Sequence, residues 1–129
     1  MEEKRKDIYY KALFLTAAIY DIVLGITFLF FYRPVYRFLN IPVPEYPAYL
    51  SLSGAFVIVV GIAYYMIYLN IHRNRDLVKV GTLYKLAYSL IVFYYFSVEY
   101  LPHNLFLIFG IIDMFFFFLF VEFLCYTKK

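Results

Sequence analysis

A chain of 129 residues that is 65% hydrophobic and 16% charged departs from soluble domains, which run at about 45 to 50% and about 25%. The net charge of +3 is small, and the basic residues come in short clusters beside apolar stretches, so no nucleic-acid partner is called for. Composition therefore excludes an ordinary water-soluble domain and points to one transmembrane domain over residues 1–129.

A helix needs about 20 mostly apolar residues to cross a hydrocarbon core of about 30 Å. Four windows meet that need, at about 8–32, 46–71, 77–98 and 103–126. The first follows Lys4, Arg5 and Lys6 and contains Ala17-Ala18, which resembles a secretory signal with its cleavage site. Its apolar run continues to Phe31, too far for a signal, and this predicts a retained span. Pro34, Pro42, Pro44 and Pro47 then interrupt any long helix, and the segment reads as a short interfacial turn over 35–39 followed by an extended stretch. His72-Arg73-Asn74-Arg75-Asp76 forms a tight polar turn with Asp76 as N-cap of the third span. Pro102 ends the last connection, and the fourth window opens at His103. Links this short make neighbouring helices antiparallel, so the expected fold is all-α, an integral membrane four-helix bundle in up-down-up-down order.

Orientation follows from Lys and Arg. With the N-terminus in the cytoplasm, the inner side holds Lys4, Arg5, Lys6, Lys11, Arg73, Arg75, Lys79, Lys128 and Lys129, and the outer side holds Arg33 and Arg37. This split obeys the positive-inside rule and places both termini in the cytoplasm. Tyr9, Tyr10, Tyr32, Tyr36, Tyr46, Tyr49, Tyr65, Tyr68, Tyr100 and Tyr126 fall near span ends, where an amphipathic ring suits the headgroup layer. Four phenylalanines at 115–118 cover a full helix circumference, so part of that run faces lipid.

Helical spacing assigns the inward faces. The first span aligns Tyr10, Phe14, Ala17, Asp21, Gly25, Phe28 and Tyr32; the second aligns Pro47, Ser51, Gly54, Ile58, Gly61, Tyr65 and Tyr68. The third aligns Gly81, Lys85, Ser89, Val92, Phe96 and Glu99; the fourth aligns Phe106, Gly110, Asp113, Phe117 and Phe120. Small residues on these stripes let membrane helices approach closely.

Asp21, Lys85 and Asp113 stand in the middles of three apolar windows. A charge at the bilayer centre costs at least roughly 2.5 to 3.5 kcal/mol on insertion scales, so such residues face a bundle interior, find a partner and mark function. At a rise of about 1.5 Å per residue, Asp21 and Asp113 lie roughly 20 Å above the inner ends of their spans, and Lys85 lies roughly 12 Å above Leu77. Side chains lean toward a helix N-terminus, which tips Asp21 down and Asp113 up. On that geometry Lys85 pairs with Asp21, and Asp113 lacks a cation.

The candidate residues for ligand binding or proton relay are Asp21, Lys85 and Asp113, with Ser89, Gly25 and Gly110 on the same stripes. The leading expectation is a midplane pocket for a small apolar or amphipathic ligand, a lipid or a quinone. Two other classes stand beside it: a noncatalytic subunit or assembly partner of a membrane oxidoreductase complex, and a membrane isomerase or reductase using Asp21 or Asp113 as general acid or base. Membrane lipids are expected partners, and a homo-oligomer or a membrane complex fits the same pattern. No cofactor or metal is expected, since His72 and His103 fall about a membrane apart and Cys125 is the only cysteine.

Tyr20-Asp21-Ile22-Val23-Leu24-Gly25, Arg33-Pro34 with Phe38-Leu39-Asn40-Ile41-Pro42, the pair Gly54 and Gly61, and Lys79-Val80-Gly81-Thr82-Leu83-Tyr84-Lys85-Leu86 resemble the DoxX-like small four-span bacterial membrane proteins. The resemblance covers most of the chain. It implies a bacterial inner-membrane bundle, and named members are linked to quinone-coupled sulfur oxidation. A more distant likeness, to the four-span sterol-isomerase and sigma-receptor group, implies a site built on intramembrane carboxylates and carries over no individual residue.

Overall fold

The computed structural model describes residues 2–99 and 105–127, and among them every regular element is a helix. These are α1 (Glu2–Phe30), α2 (Tyr32–Phe38), α3 (Pro47–Leu69), α4 (Arg75–Ser97) and α5 (Leu105–Tyr126). Four of the five, all but α2, are long and apolar enough to cross a membrane. Tyr100, Pro102, His103, Lys128 and Lys129 lie outside the described residues. The chain gathers into two compact units, Met1–Ile71 with α1 to α3 and His72–Lys129 with α4 and α5.

In the first unit, α1 starts earlier than its apolar window. Glu2 and Glu3 occupy its first turn, where carboxylates complement the positive end of the helix dipole, and the helix runs on through the basic cluster. At about 1.5 Å per residue its 29 residues extend roughly 43 Å, beyond a hydrocarbon core of about 30 Å. The interfacial turn expected over 35–39 is the helix α2, which begins at Tyr32. Pro34 is accommodated because it falls in the first turn, where no backbone N–H is needed for the helix ladder. An extended stretch follows, and Pro47 opens α3 at a first-turn position that suits its fixed φ.

Helices α1 and α3 pack along a seam of small residues. A Cβ added to Gly25 would stand 2.6 Å from the Gly54 carbonyl oxygen and 2.9 Å from the Ile58 nitrogen; one added to Gly54 would stand 2.8 Å from the Gly25 oxygen. Gly61 meets Ile22 and Ala18 in the same way. Partner numbers fall along α3 as they rise along α1, with the Lys11 ammonium 5.3 Å from the Tyr68 ring at one end and Gly25 on Gly54 nearer the other. The two helices therefore run in opposite directions. Tyr10, Phe14, Ala17, Asp21, Gly25 and Phe28 are all buried, as their spacing requires. On α3 the buried face is Leu50, Gly54, Gly61, Tyr64 and Ile67, so past Gly61 the expected stripe shifts: Tyr65 is exposed and Tyr64 is buried in its place, while Tyr68 is half-buried.

In the second unit, α4 begins at Arg75 with Asn74 as its N-cap, two residues earlier than the Asp76 cap expected. Asp76 lies within the first turn and pairs with Lys79 at 3.5 Å on the surface. Arg75 ties this end of α4 to the end of α5: its Nε donates to Thr127 Oγ1 at 2.9 Å and its Nη2 to the Leu124 carbonyl at 2.8 Å. That guanidinium satisfies one of the last carbonyls of α5, which have no partner within the helix. Ile19, Val23, Phe56 and Val59 in the first unit, and Leu83, Leu90, Ile111, Phe115 and Phe118 in the second, are exposed. Apolar surface on this scale suits contact with lipid chains rather than water.

Candidate functional site

The second unit assembles four of the six candidate residues. Ser89 on α4 donates its hydroxyl hydrogen to the Gly110 carbonyl of α5 at 2.9 Å, a polar link between helices where no side chain on Gly110 keeps them apart. A Cβ on Gly110 would stand 3.0 Å from Val92 Cγ1, so the approach is tight here as well. From this crossing, Lys85 lies four residues back along α4 and Asp113 three residues on along α5. In helices of opposite direction these are displacements of about 6 Å and about 4.5 Å the same way, so the two residues end nearly level.

The Lys85 ammonium donates to Asp113 Oδ1 at 2.8 Å. This corrects the expectation that Asp113 has no cation. Counting from Leu77 set Lys85 too low: α4 starts at Arg75, opposite Leu124 and Thr127. The four-carbon stem of lysine covers the remaining offset.

The two ends of the pair differ in exposure. The Lys85 side chain is 0% exposed, and that of Asp113 is 7% exposed. Lys85 Nζ also lies 5.0 Å from the Phe116 ring centroid and 5.7 Å from that of Tyr84, within range for attraction between an ammonium and the negative face of a ring. Phe116 in turn packs on Phe120, with centroids 5.9 Å apart. Both groups are thus buried, the cation among aromatic rings and the carboxylate slightly less completely. Phe116 and Tyr84 were not among the candidates, although the three-residue step from Asp113 to Phe116 places both on one side of α5.

Asp21 and Gly25 belong to the first unit. Asp21 is 1% exposed on the buried face of α1, one turn from the Gly25–Gly54 contact. Outside the long helices, burial raises the pKa of the Tyr36 phenol of α2 above its ordinary value, which keeps it neutral at physiological pH.

Chemically, a lysine–aspartate pair with an enclosed cation can hold a hydrogen-bond donor at its carboxylate edge while remaining neutral as a unit. It can also serve only to fix the register of α4 on α5, a use for which such pairs are attested. No family model matches the chain, and no curated protein or solved structure matches it either.

Proposed function

We propose that this chain is a bacterial inner-membrane protein of DoxX-like type, crossing the membrane four times in up-down-up-down order with both termini in the cytoplasm. Its function, on this reading, is to bind a small apolar or amphipathic ligand, a lipid or the quinol form of a quinone, at the Lys85–Asp113 site. The single observation that carries the reading is the 2.8 Å pair, buried mid-helix between two membrane-length helices, with its carboxylate the less completely covered end. A ligand with a hydroxyl or amine head can donate to that end while its apolar body lies among chains or rings.

A second reading draws on the same pair. Because Lys85 and Asp113 neutralise each other within one helix pair, they suit a scaffold subunit of a membrane complex whose charged residues only set helix register.

Native mass spectrometry of the gently extracted protein separates the two. The ligand reading expects a copurifying small molecule that is lost in the Lys85→Met/Asp113→Leu double variant, while helix content and melting temperature stay at or above wild type, since well-packed apolar replacements of a buried pair are often neutral or stabilising. A bare wild-type chain, or equal occupancy in the double variant, would refute ligand binding at this pair and favour the scaffold.

A further inference from the structure

The segment joining α1 to α3 carries charge that the Lys85–Asp113 site does not use. Helix α2 has one covered side, where Tyr36 is fully buried with its ring edge-on to Phe28 at 6.5 Å and to Tyr32 at 6.5 Å. Arg33 and Arg37 lie one turn apart on this helix, four residues being the spacing at which helical side chains are neighbours. Both are exposed, and among the described residues neither is in an ion pair. The Arg33 guanidinium is steadied 5.8 Å from the Tyr32 ring centroid.

The end of α2 is fixed too. Asn40 adopts φ 58, its N–H donates to the Arg37 carbonyl at 3.1 Å, and the Ile41 N–H reaches back to the Tyr36 carbonyl at 2.8 Å. These two bonds form a Schellman closure, and asparagine is one of the few residues with a side chain that takes the left-handed conformation readily. The arginines therefore project from a short helix anchored at both ends. Exposed Phe31 and Phe38 flank them, and Tyr46 and Tyr49 stand exposed at the start of α3. Over residues 31–46 the only acidic side chain set against the two arginines is Glu45.

We infer that α2 is a docking surface for anionic phospholipid, with Arg33 and Arg37 gripping one lipid phosphate between them. Planar guanidinium groups bind phosphate oxygens through paired N–H donors, a geometry that ammonium groups do not reproduce. Rings such as Phe31, Phe38, Tyr46 and Tyr49 favour the layer between headgroups and chains, which sets the arginines at phosphate depth. The lipid headgroup is the occupant that the flanking aromatics and the charge together fit, because a soluble acidic partner would leave those rings in water. This inference rests on the membrane reading but not on a ligand at Lys85–Asp113.

The test uses the full chain in mild detergent, incubated with phosphatidylglycerol and phosphatidylcholine of identical acyl chains, with bound lipids counted by native mass spectrometry. A basic residue at an anionic surface gives about a fivefold preference, so the pair should retain phosphatidylglycerol about thirtyfold over phosphatidylcholine. Arg33→Gln/Arg37→Gln should abolish that preference with circular dichroism unchanged, both side chains being exposed, and Arg33→Lys/Arg37→Lys should fall between. The Lys85→Met/Asp113→Leu variant should keep the full preference, which separates this test from that of the ligand site. Equal retention of the two lipids by wild type would overturn the proposal whatever the variants do. So would a wild-type preference in the folded glutamine variant, and a full preference in the lysine variant would overturn the paired-guanidinium geometry.

Discussion

A fully enclosed ammonium is tolerated in Lys85 because an anion stands 2.8 Å away and two aromatic faces lie within 6 Å. Desolvating both charges offsets much of their mutual attraction, so the pair adds little net stability while making either partner hard to remove. Lys85→Met alone, or Asp113→Asn alone, should destabilise the protein by roughly 3 to 5 kcal/mol, and the double apolar variant should recover most of that loss. Thermal melts of the four members of the cycle in one detergent check this; additive losses would mean that the two side chains do not act as a pair. At this scale the sequence was legible in part. Ionisable residues inside apolar windows stand out from any surroundings, and Lys85 and Asp113 were found on that ground alone. Their partnership was not legible, because it depends on a helix register set by contacts between other residues: Arg75 on Leu124 and Thr127 at the helix ends, and Ser89 on Gly110 one turn away. Phe116 was hidden for another reason, since one ring among four consecutive phenylalanines carries no sign of its role.

Elements pack here through the residues that lack side chains, and the two units differ in what an added methyl would strike. At Gly54 it would meet the Gly25 carbonyl and the backbone of α1, atoms that cannot move without shifting a helix; at Gly110 it would meet the side chain of Val92. Alanine gains about 1 kcal/mol over glycine in helix propensity, against an overpacking cost of about 1 to 3 kcal/mol. Gly54→Ala, which strikes backbone, should therefore lower stability by up to about 2 kcal/mol, and Gly110→Ala should come out near neutral, as read by melting temperature in matched detergent. Equal effects would contradict the closer approach of α1 and α3. The stripe on α1 was legible from Tyr10 to Phe28 because Ala17, Asp21 and Gly25 mark three successive turns at its centre. On α3 the stripe was lost past Gly61, where steps of three and of four both land on a tyrosine, and the buried ring is Tyr64. On α4 the extrapolation to Phe96 and Glu99 failed because both are exposed at the helix end. The start of α2 was misplaced since Pro34 reads as a breaker until its first-turn position is known.

The whole molecule offers the membrane four helices of sufficient length and apolar character, with charged or polar seams inside each unit and apolar side chains outside. That inversion of the soluble pattern was plain in the composition, because 65% hydrophobic residues exceed what a core of this size could bury. Both the ligand reading and the lipid grip of α2 require the chain to pass through the bilayer in a particular sense, with Lys85 and Asp113 inside the hydrocarbon and Arg33 and Arg37 on the outer face. The positive-inside rule, applied to nine basic residues against two, is the ground on which that sense is proposed. The most direct measurement is a pair of topology reporters in the same host, one fused after Lys129 and one inserted within residues 40–45, each assayed for cytoplasmic and periplasmic activity. The account predicts a cytoplasmic C-terminus and a periplasmic 40–45 loop; a periplasmic C-terminus, or both reporters on one side, would contradict it.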